Sequence, residues 1–390
     1  MSGKRLIVLL LLGLCPFLSV CAKERKKKLN WVTVDSLAAD TMSKKELRAY
    51  KAKMFFVNAA DFADDWFMRG LDTNYVGLPK HRFKLAYSSD IGNIFTTIRC
   101  SGVPYYENLN IYMHSNFTPK MGFQVGYRNL NLGFQWNLYK GYSNFKIGLN
   151  QSAFGIELLQ RKTAYAHGFF DASAIEGRLD LQPGEMNVNT LSLSGWFAIN
   201  RRRFSMPAAI KQSYIQRHSA GSILIYASYS YWDINVVSEE ICSRAGGLRE
   251  LELYQAAVGI GYGYNYTPNH GKILLHISGG PMLAFLNKMV ITGDSRLFLP
   301  NPNYNLIFSQ KINPEYPVYV TGQAKVAFVW NITDLFYFSL SAQGSNTRFL
   351  SKDNVFKTDS KTALDYNPEI HMHLNAWDWN AVLYFGIRFL

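Results

Sequence analysis

Two neighbouring strands can be read from residues 121–138, and this stretch restricts the fold more than any other part of the chain. Apolar side chains occupy every second position in both halves, with glycine or neutral polar residues between them. A period of two places each set on one face of an extended strand. A soluble sandwich rarely pairs such an apolar face with so many glycines and neutral polar residues, so the pattern favours a membrane β-barrel. The apolar set consists of Met121, Phe123, Val125, Tyr127, Leu130, Leu132, Phe134, Trp136 and Leu138.

The composition of the 390-residue chain agrees with this interpretation. Hydrophobic residues make up 48% of the sequence, yet its mean hydropathy is only −0.09. Beyond the N-terminus, no apolar run approaches the roughly 18 residues that a spanning helix requires. High apolar content without long apolar runs indicates lipid-facing residues dispersed at alternate positions.

The N-terminus has the features of a secretory signal peptide. Lys4 and Arg5 precede an apolar segment at 6–20, and small residues follow it at a cleavage site. We therefore predict a signal peptide at residues 1–22. An alternative keeps Cys21 as a lipidated first residue, because residues 18–21 resemble a bacterial lipobox apart from its valine.

Charge and cysteine content give weaker indications. The net charge of +13 and the basic run at 23–28 could suggest nucleic acid, but export argues against that partner. Such a tail would face anionic lipid headgroups or acidic glycans, or remain solvated. Once the signal has left, Cys100 and Cys242 could form one bridge, and the sequence does not decide whether they pair.

The mature chain divides into an extension and a strand-rich region. Residues 23–105 are predicted to be a periplasmic or lumen-plugging segment, partly helical, with a capping box of Ser43 and Glu46. Residues 106–390 are predicted to form an all-β, transmembrane antiparallel barrel of about twelve strands, with about ten to fourteen allowed. Residues 82–88 and 110–115 are marginal strands. After the opening hairpin, the predicted strands are 144–150, 153–161, 190–200, 204–212, 222–235, 254–266, 272–285, 318–332, 335–345 and 380–389.

Connection lengths suggest an orientation. Residues 287–317 and 346–379 are long and are predicted to be extracellular, whereas 267–271 and 331–335 are short. Counting backward places the long stretch 162–188 on the short-turn side. Either the strand count slips there, or that stretch is a periplasmic insertion.

The last predicted strand resembles the C-terminal targeting strand of bacterial outer-membrane barrels. Residues 380–390 alternate in polarity, include Gly386 and carry Phe389 next to the final Leu390. The resemblance implies insertion into outer-membrane lipid and recognition by the barrel-assembly machinery.

A wider resemblance involves several motifs. Residues 200–205, 216–222, 126–128 and 259–262 look like a family of exported Bacteroidetes proteins that is catalogued as a domain of unknown function. The resemblance would cover most of the mature chain and implies an outer-membrane barrel. It supplies no catalytic residues.

Candidates for catalysis and metal binding are few. His276 and Ser278 share one strand face, like the His-x-Ser pair of outer-membrane phospholipase A, but they are predicted to point into the lumen rather than toward lipid. His371 and His373 could hold a metal with Asp365 or Glu369, although loop histidines are usually solvated. We predict no enzymatic activity, no cofactor and no bound metal.

Charged residues at lumen-facing positions are more informative. By alternation these are Lys146, Glu157, Arg161, Lys211, Lys272, Lys325 and Arg388. A ring of cations in a narrow lumen selects anions or binds an acidic glycan or lipid headgroup. Carboxylates of the extension, such as Asp61, Asp64 and Asp65, could instead neutralise the cations in a sealed barrel.

The sequence therefore predicts an outer-membrane pore or binding barrel for an anionic or envelope-derived molecule. One alternative is a barrel enzyme acting on lipid. Another is a structural or adhesive barrel that uses its long loops.

Overall fold

The computed structural model describes residues 43–103, 106–115, 119–137, 142–163, 166–172, 179–182, 184–244, 247–294, 307–351 and 371–389. The predicted signal peptide, Cys21 and the basic run at 23–28 lie outside these ranges. The chain forms two units, one ending at Arg69 and the other beginning at Gly70.

The first unit contains helix α1, Lys44–Met68. Its N-terminus has the predicted capping box. The backbone N–H of Glu46 donates to Ser43 Oγ at 3.3 Å, and the N–H of Ser43 donates to Glu46 Oε2 at 3.0 Å. Gly70 follows with a φ of +74°, a conformation that favours glycine. Among the helices of the described residues, none is both long and apolar enough to cross a membrane.

The second unit is built almost entirely of strands. Two short helices, α2 (Met206–Ile210) and α3 (Glu239–Arg244), interrupt them. In chain order the strands are β1 (Val76–Gly77), β2 (Phe83–Val103), β3 (Tyr106–Ser115), β4 (Lys120–Tyr127), β5 (Leu130–Trp136), β6 (Tyr142–Asn150), β7 (Phe154–Thr163), β8 (Ala166–Ala172), β9 (Leu179–Leu181), β10 (Met186–Ala198), β11 (Ile215–Gln216), β12 (Ala220–Val236), β13 (Leu248–Tyr266), β14 (Ile273–Asp294), β15 (Ile307–Ile312), β16 (Tyr319–Asn331), β17 (Phe336–Ser351) and β18 (His371–Phe389).

Twelve of these strands close into an antiparallel ring. The order is β2, β4, β5, β6, β7, β10, β12, β13, β14, β16, β17 and β18, and β18 pairs with β2 to complete the circle. The closing ladder runs from Phe83 opposite Phe389 to Ser101 opposite His371. Strands β3, β8 and β9 branch from β2, above the shorter strands β4 to β7. The predicted antiparallel barrel of about twelve strands is confirmed.

Two of the sequence predictions about strands are wrong. One ring strand lies partly in the segment predicted as the extension, and one predicted strand is absent from the ring. The marginal candidate at 82–88 belongs to β2, so the barrel starts inside the segment that was predicted as the extension. Residues 204–212 form no strand: they contain α2, where Pro207 stands in the first turn and is followed by two alanines. Proline at that position and alanine both favour a helix. The two errors cancel, so the predicted number of strands is correct.

The corrected strand list also resolves the orientation problem. The connections at 128–129, 151–153, 267–272 and 332–335 share one end of the ring, called here the turn end. The stretch 162–188 lies at the opposite loop end, so the strand count had slipped. The predicted loops at 287–317 and 346–379 are shorter than expected. Parts of them are strands β14, β15, β17 and β18, and 295–306 and 352–370 lie outside the described residues.

The outer face of the ring is apolar. Alternate side chains of each strand point outward, as predicted for 121–138 and 254–266, and Leu132 and Ile260 keep 49% and 58% of their surface exposed. Water-soluble monomers rarely expose so many large apolar side chains, and together with the closed antiparallel ring this surface identifies a transmembrane barrel. Ten ring strands in the described residues carry at least one such side chain, exemplified by Leu85, Phe123, Leu132, Ile147, Ile225, Ile260, Ile277, Val326, Leu340 and Phe385.

The interior differs between the two ends. At the loop end, inward side chains from many strands form a single apolar core that fills the lumen. Toward the turn end the inward side chains are polar or charged. Buried members of the apolar core include Ile98, Val188, Ile234, Leu251, Ile291, Phe349 and Leu374.

Candidate functional site

Residues 199–219, which connect β10 to β12, enter the lumen from the turn end and are called here the inward loop. Its helix α2 packs against β13, β14 and β16. Phe204, Met206 and Tyr214 are almost completely buried. The loop also carries β11, which pairs with β1. The inward loop therefore closes the turn end, while the apolar core fills the loop end.

Between these two closures, the lumen holds more positive than negative charge. Within the described residues, six cations and three carboxylates face this space. The cations are Lys84, Lys120, Lys146, Arg161, Lys211 and Lys325, and the carboxylates are Asp90, Glu157 and Asp378.

Glu157 is the centre of one charged cluster. Lys146 Nζ lies 2.9 Å from Glu157 Oε1, and Lys211 Nζ lies 2.5 Å from Glu157 Oε2. Lys146 belongs to β6 and Glu157 to β7, whereas Lys211 comes from the inward loop. Lys84 Nζ of β2 donates to the carbonyl oxygen of Lys211 at 2.5 Å and to Ser213 Oγ at 2.8 Å. These bonds tie the inward loop to two strands of the barrel wall, β2 and β7.

A second pair joins distant strands. Arg161 of β7 forms an ion pair with Asp378 of β18. Asp90 of β2 accepts from Asn144 Nδ2 at 3.2 Å and from Asn380 Nδ2 at 3.4 Å. Sequence reasoning missed both carboxylates, because residue 90 was assigned to the extension and residue 378 to a loop. In the sequence, the apolar residues Leu85, Tyr87 and Ile91 alternate with smaller or more polar ones, and this pattern could have identified Asp90 as an inward-facing residue.

Lys325 differs from the other lumen cations. It extends from β16 and, within the described residues, forms no hydrogen bond or ion pair, although Glu157 is near enough to interact with it electrostatically. It borders a lumen cavity of about 130 Å³, which exceeds the space that a few water molecules need. Hydroxyl and amide side chains line most of this cavity, among them Ser192, Ser230, Thr321, Gln323, Gln343 and Asn380.

Two of the predicted lumen residues lie elsewhere. Lys272 is exposed in the connection between β13 and β14, outside the lumen, because strand β14 starts one residue later. Arg388 is buried at the turn end, where it donates to Asn331 Oδ1 at 2.8 Å and lies 4.6 Å from the ring centre of Tyr337. Lys146, Glu157, Arg161, Lys211 and Lys325 share the interior, although Lys211 reaches it from the inward loop.

His276 and Ser278 lie on β14 and face the barrel lumen, as the alternation predicts. His276 Nε2 is 2.9 Å from Ser278 Oγ, and His276 Nδ1 is 2.7 Å from Asn265 Oδ1. A base that touches a hydroxyl and is oriented by a third group can activate that hydroxyl. Here Asn265 also donates to Ser205 O at 2.8 Å and to Gln216 Oε1 at 3.0 Å, and both serine and histidine are buried beneath the inward loop. The group therefore anchors that loop.

The remaining candidates stay apart from the lumen cluster. His371 and His373 belong to β18, Asp365 and Glu369 lie outside the described residues, and no group of three metal-ligating side chains occurs within those residues. Cys100 and Cys242 are buried free thiols. Cys242 lies on α3, where burial raises the pKa of its thiol to about 11.

Comparisons with known proteins identify a family and distant structural likenesses. A family model described as a domain of unknown function (DUF4421) matches residues 70–367. The chain resembles the outer-membrane protease OmpT of Escherichia coli at 9% identity, covering 80% of this chain and 97% of that one, with a TM-score of 0.37. No curated protein matches the chain.

Two further likenesses are weaker. The translocator domain of the autotransporter NalP from Neisseria meningitidis shares 10% identity over 86% of this chain and 96% of its own, with a TM-score of 0.27. The toluene transporter TodX of Pseudomonas putida shares 8% over 78% and 89%, with a TM-score of 0.23. At such scores none of the three bears on function. The match at 70–367 confirms the expected resemblance to a domain of unknown function, and the Bacteroidetes origin stays a prediction.

Proposed function

The chain belongs to the family described as a domain of unknown function (DUF4421), and we propose a function from its lumen. We propose that it is an exported bacterial outer-membrane barrel that binds a small anionic molecule. The observation that carries the proposal is Lys325, a cation without an ion-pair partner among the described residues, at a polar cavity in a lumen with excess positive charge. The signal peptide predicted at 1–22 supplies the route of export.

Binding fits the geometry better than steady conduction. An open pore needs a continuous water-filled path, whereas the inward loop and the apolar core close the two ends of this lumen. The cavity between them is of the size that holds a small molecule rather than a polymer. A binding barrel with a closed resting state follows from this arrangement.

The lining indicates the chemistry of the ligand. Serine, threonine, asparagine and glutamine side chains both donate and accept hydrogen bonds, which suits a molecule rich in hydroxyl groups. Lys325 supplies a charge-assisted contact for one phosphate or carboxylate. An envelope-derived sugar phosphate or sugar acid combines both features.

The test measures thermal stabilisation of the mature protein in detergent by glucose 1-phosphate, with glucose as the neutral comparison. A ligand at about one hundred times its Kd raises the free energy of unfolding by about 2.7 kcal/mol. We expect glucose 1-phosphate to stabilise the protein more than glucose does. Lys325→Gln should weaken phosphate-dependent binding about tenfold or more, since a charged hydrogen bond contributes roughly 1.5–3 kcal/mol.

Lys162→Gln is the matched control, because Lys162 is an exposed lysine on β7 that points away from the lumen. This variant should bind as the parent protein does. Equal binding of glucose 1-phosphate by the parent and by Lys325→Gln would remove Lys325 as the anion contact. No stabilisation of the parent by this sugar phosphate would count against a site of this chemistry.

A further inference from the structure

The inward loop carries a row of neighbouring cationic and aromatic side chains, called here the basic ladder. Arg203 Cζ lies 5.0 Å from the ring centre of Tyr75. The Tyr75 ring lies 5.5 Å from that of His218, which lies 5.1 Å from that of His270. Three separate segments, at residue 75, in the inward loop and in the β13–β14 connection, therefore build one continuous surface.

More positive charge flanks the ladder. Arg202, Arg217 and Lys272 are exposed beside it. Arg217 is held in place, because its Nη1 donates to the carbonyl oxygen of Thr73 at 2.9 Å and its backbone N–H donates to Tyr75 O at 2.7 Å. Among the described residues of this surface, the opposing carboxylate is Asp72, 3.6 Å from Arg203 Nε. The surface thus keeps a large excess of positive charge.

Most of the ladder belongs to the segments that close the barrel rather than to the ring strands. Arg203 and His218 are part of the inward loop, and Tyr75 precedes β1, which pairs with β11 of that loop. The lipid-facing side chains belong instead to the outer faces of the ring strands. In barrels with short turns at one end, that end faces the periplasm. A partner of the ladder would therefore approach from the aqueous side.

We propose that the basic ladder binds an anionic glycan, one whose sugar rings carry carboxylate groups. Guanidinium groups bind carboxylates through paired hydrogen bonds. His218 and His270 are exposed and Tyr75 is partly exposed, so their rings offer apolar surface against which the apolar faces of sugar rings can pack. The ring centres are 5.5 and 5.1 Å apart and the ring planes are inclined by 58° and 85°, so the three rings form a row of aromatic edges and faces with Arg203 at one end.

The experiment measures binding of three probes to the full chain in detergent. The probes are solubilised cell-wall glycan fragments that carry carboxylates, neutral chito-oligosaccharides, and vesicles of phosphatidylglycerol. We expect the carboxylated fragments to bind at least about tenfold more tightly than the neutral ones, with affinity that falls as salt increases.

Two double variants test the surface independently. Arg203→Gln with Arg217→Gln removes the fixed guanidinium groups, and Arg202→Gln with Lys272→Gln removes only exposed charges. Each should weaken binding of the carboxylated fragments about tenfold. Arg99→Gln with Lys311→Gln, which removes two charges from exposed residues of β2 and β15, is the control and should change nothing.

Three outcomes would overturn the proposal: no binding of the carboxylated fragments, binding that both surface variants retain, or variant-sensitive binding to vesicles alone. Gel mobility with and without heating confirms that each variant is folded. The probes differ from glucose 1-phosphate, which tests the lumen site. A negative result for the basic ladder therefore does not affect the proposal that Lys325 binds an anion.

Discussion

At the scale of single residues, alternation identified which side chains face the lumen but not which of them pair. Lys146, Glu157, Arg161 and Lys325 lie inside, as their strand positions predict. Lys146 and Glu157 pair across the neighbouring strands β6 and β7, which alternation and a short turn make foreseeable. The other partners, Asp378 for Arg161 and Lys211 for Glu157, come from a distant strand and from the inward loop, so no local pattern indicates them. Asp378 meets Arg161 only because β18 stands across the lumen from β7. The sequence therefore predicts which face of a strand points inward, whereas the contacts between distant strands follow only from the closed ring.

Lys80 and Asp334 form an exposed ion pair at the turn end, where a pH dependence is expected. Lys80 Nζ donates to Asp334 Oδ2, and this hydrogen bond holds the pKa of Asp334 below its ordinary value. The pair therefore stabilises the fold above the unfolded pKa, near about 3.9, and this contribution is lost as the pH falls through the folded pKa.

Asp334→Asn should lower the melting temperature slightly at pH 7, by less than about 3 °C, since both groups are exposed. The difference from the parent should shrink as the pH falls below the unfolded pKa and through the lower folded pKa of Asp334. In a Lys80→Gln background the same substitution should have no effect at pH 7. A difference that persists in that background would show that Asp334 acts through another partner.

At the scale of elements, the inward loop is the part that the sequence misrepresented most. Residues 204–212 mix apolar and polar side chains in a way that a strand would also accept, and the loop's true role appears only through long-range bonds. Gln216 combines both kinds of contact: its Oε1 accepts from Asn265 Nδ2 of β13 at 3.0 Å, and within the loop its Oε1 accepts from the N–H of Ser205 at 2.9 Å and its Nε2 donates to Arg203 O at 2.6 Å.

Gln216→Ala should loosen the inward loop without unfolding the ring. Removing one side chain leaves several buried polar groups without partners, each costing about 1–3 kcal/mol. A cysteine introduced in place of Ser213, which is buried, reports the change through its rate of reaction with a maleimide. We expect at least about tenfold faster labelling when Ser213→Cys is combined with Gln216→Ala. Equal rates would show that other bonds suffice to hold the loop.

At the scale of the whole molecule, the number of strands and their alternation were predictable, whereas the filling of the lumen was not. An inward position looks the same in sequence whether it faces water, a buried loop or another apolar side chain. The sequence therefore left an open and a sealed barrel equally acceptable. Inward residues such as Ile98, Ile234 and Leu374 decide for closure, because they meet across the loop end.

The parent protein reconstituted in a planar bilayer should accordingly show no steady ion current. Both closures must open before water and ions can cross, and Gln216→Ala should disturb only the one at the turn end. This variant is therefore also expected to stay without steady current. Stable single-channel currents in the parent would contradict the closed resting state and restore the pore interpretation.

The ladder between β2 and β18 has a consequence for how the barrel is made. These two strands stand at opposite ends of the barrel sequence, so β2 is synthesised long before its partner exists. Until β18 arrives, β2 presents a long row of unpaired N–H and C=O groups, the kind of edge that recruits other chains. Contacts this distant in sequence also form slowly. The unpaired edge of β2 must therefore be kept from pairing with other chains until β18 has been made and the barrel closes.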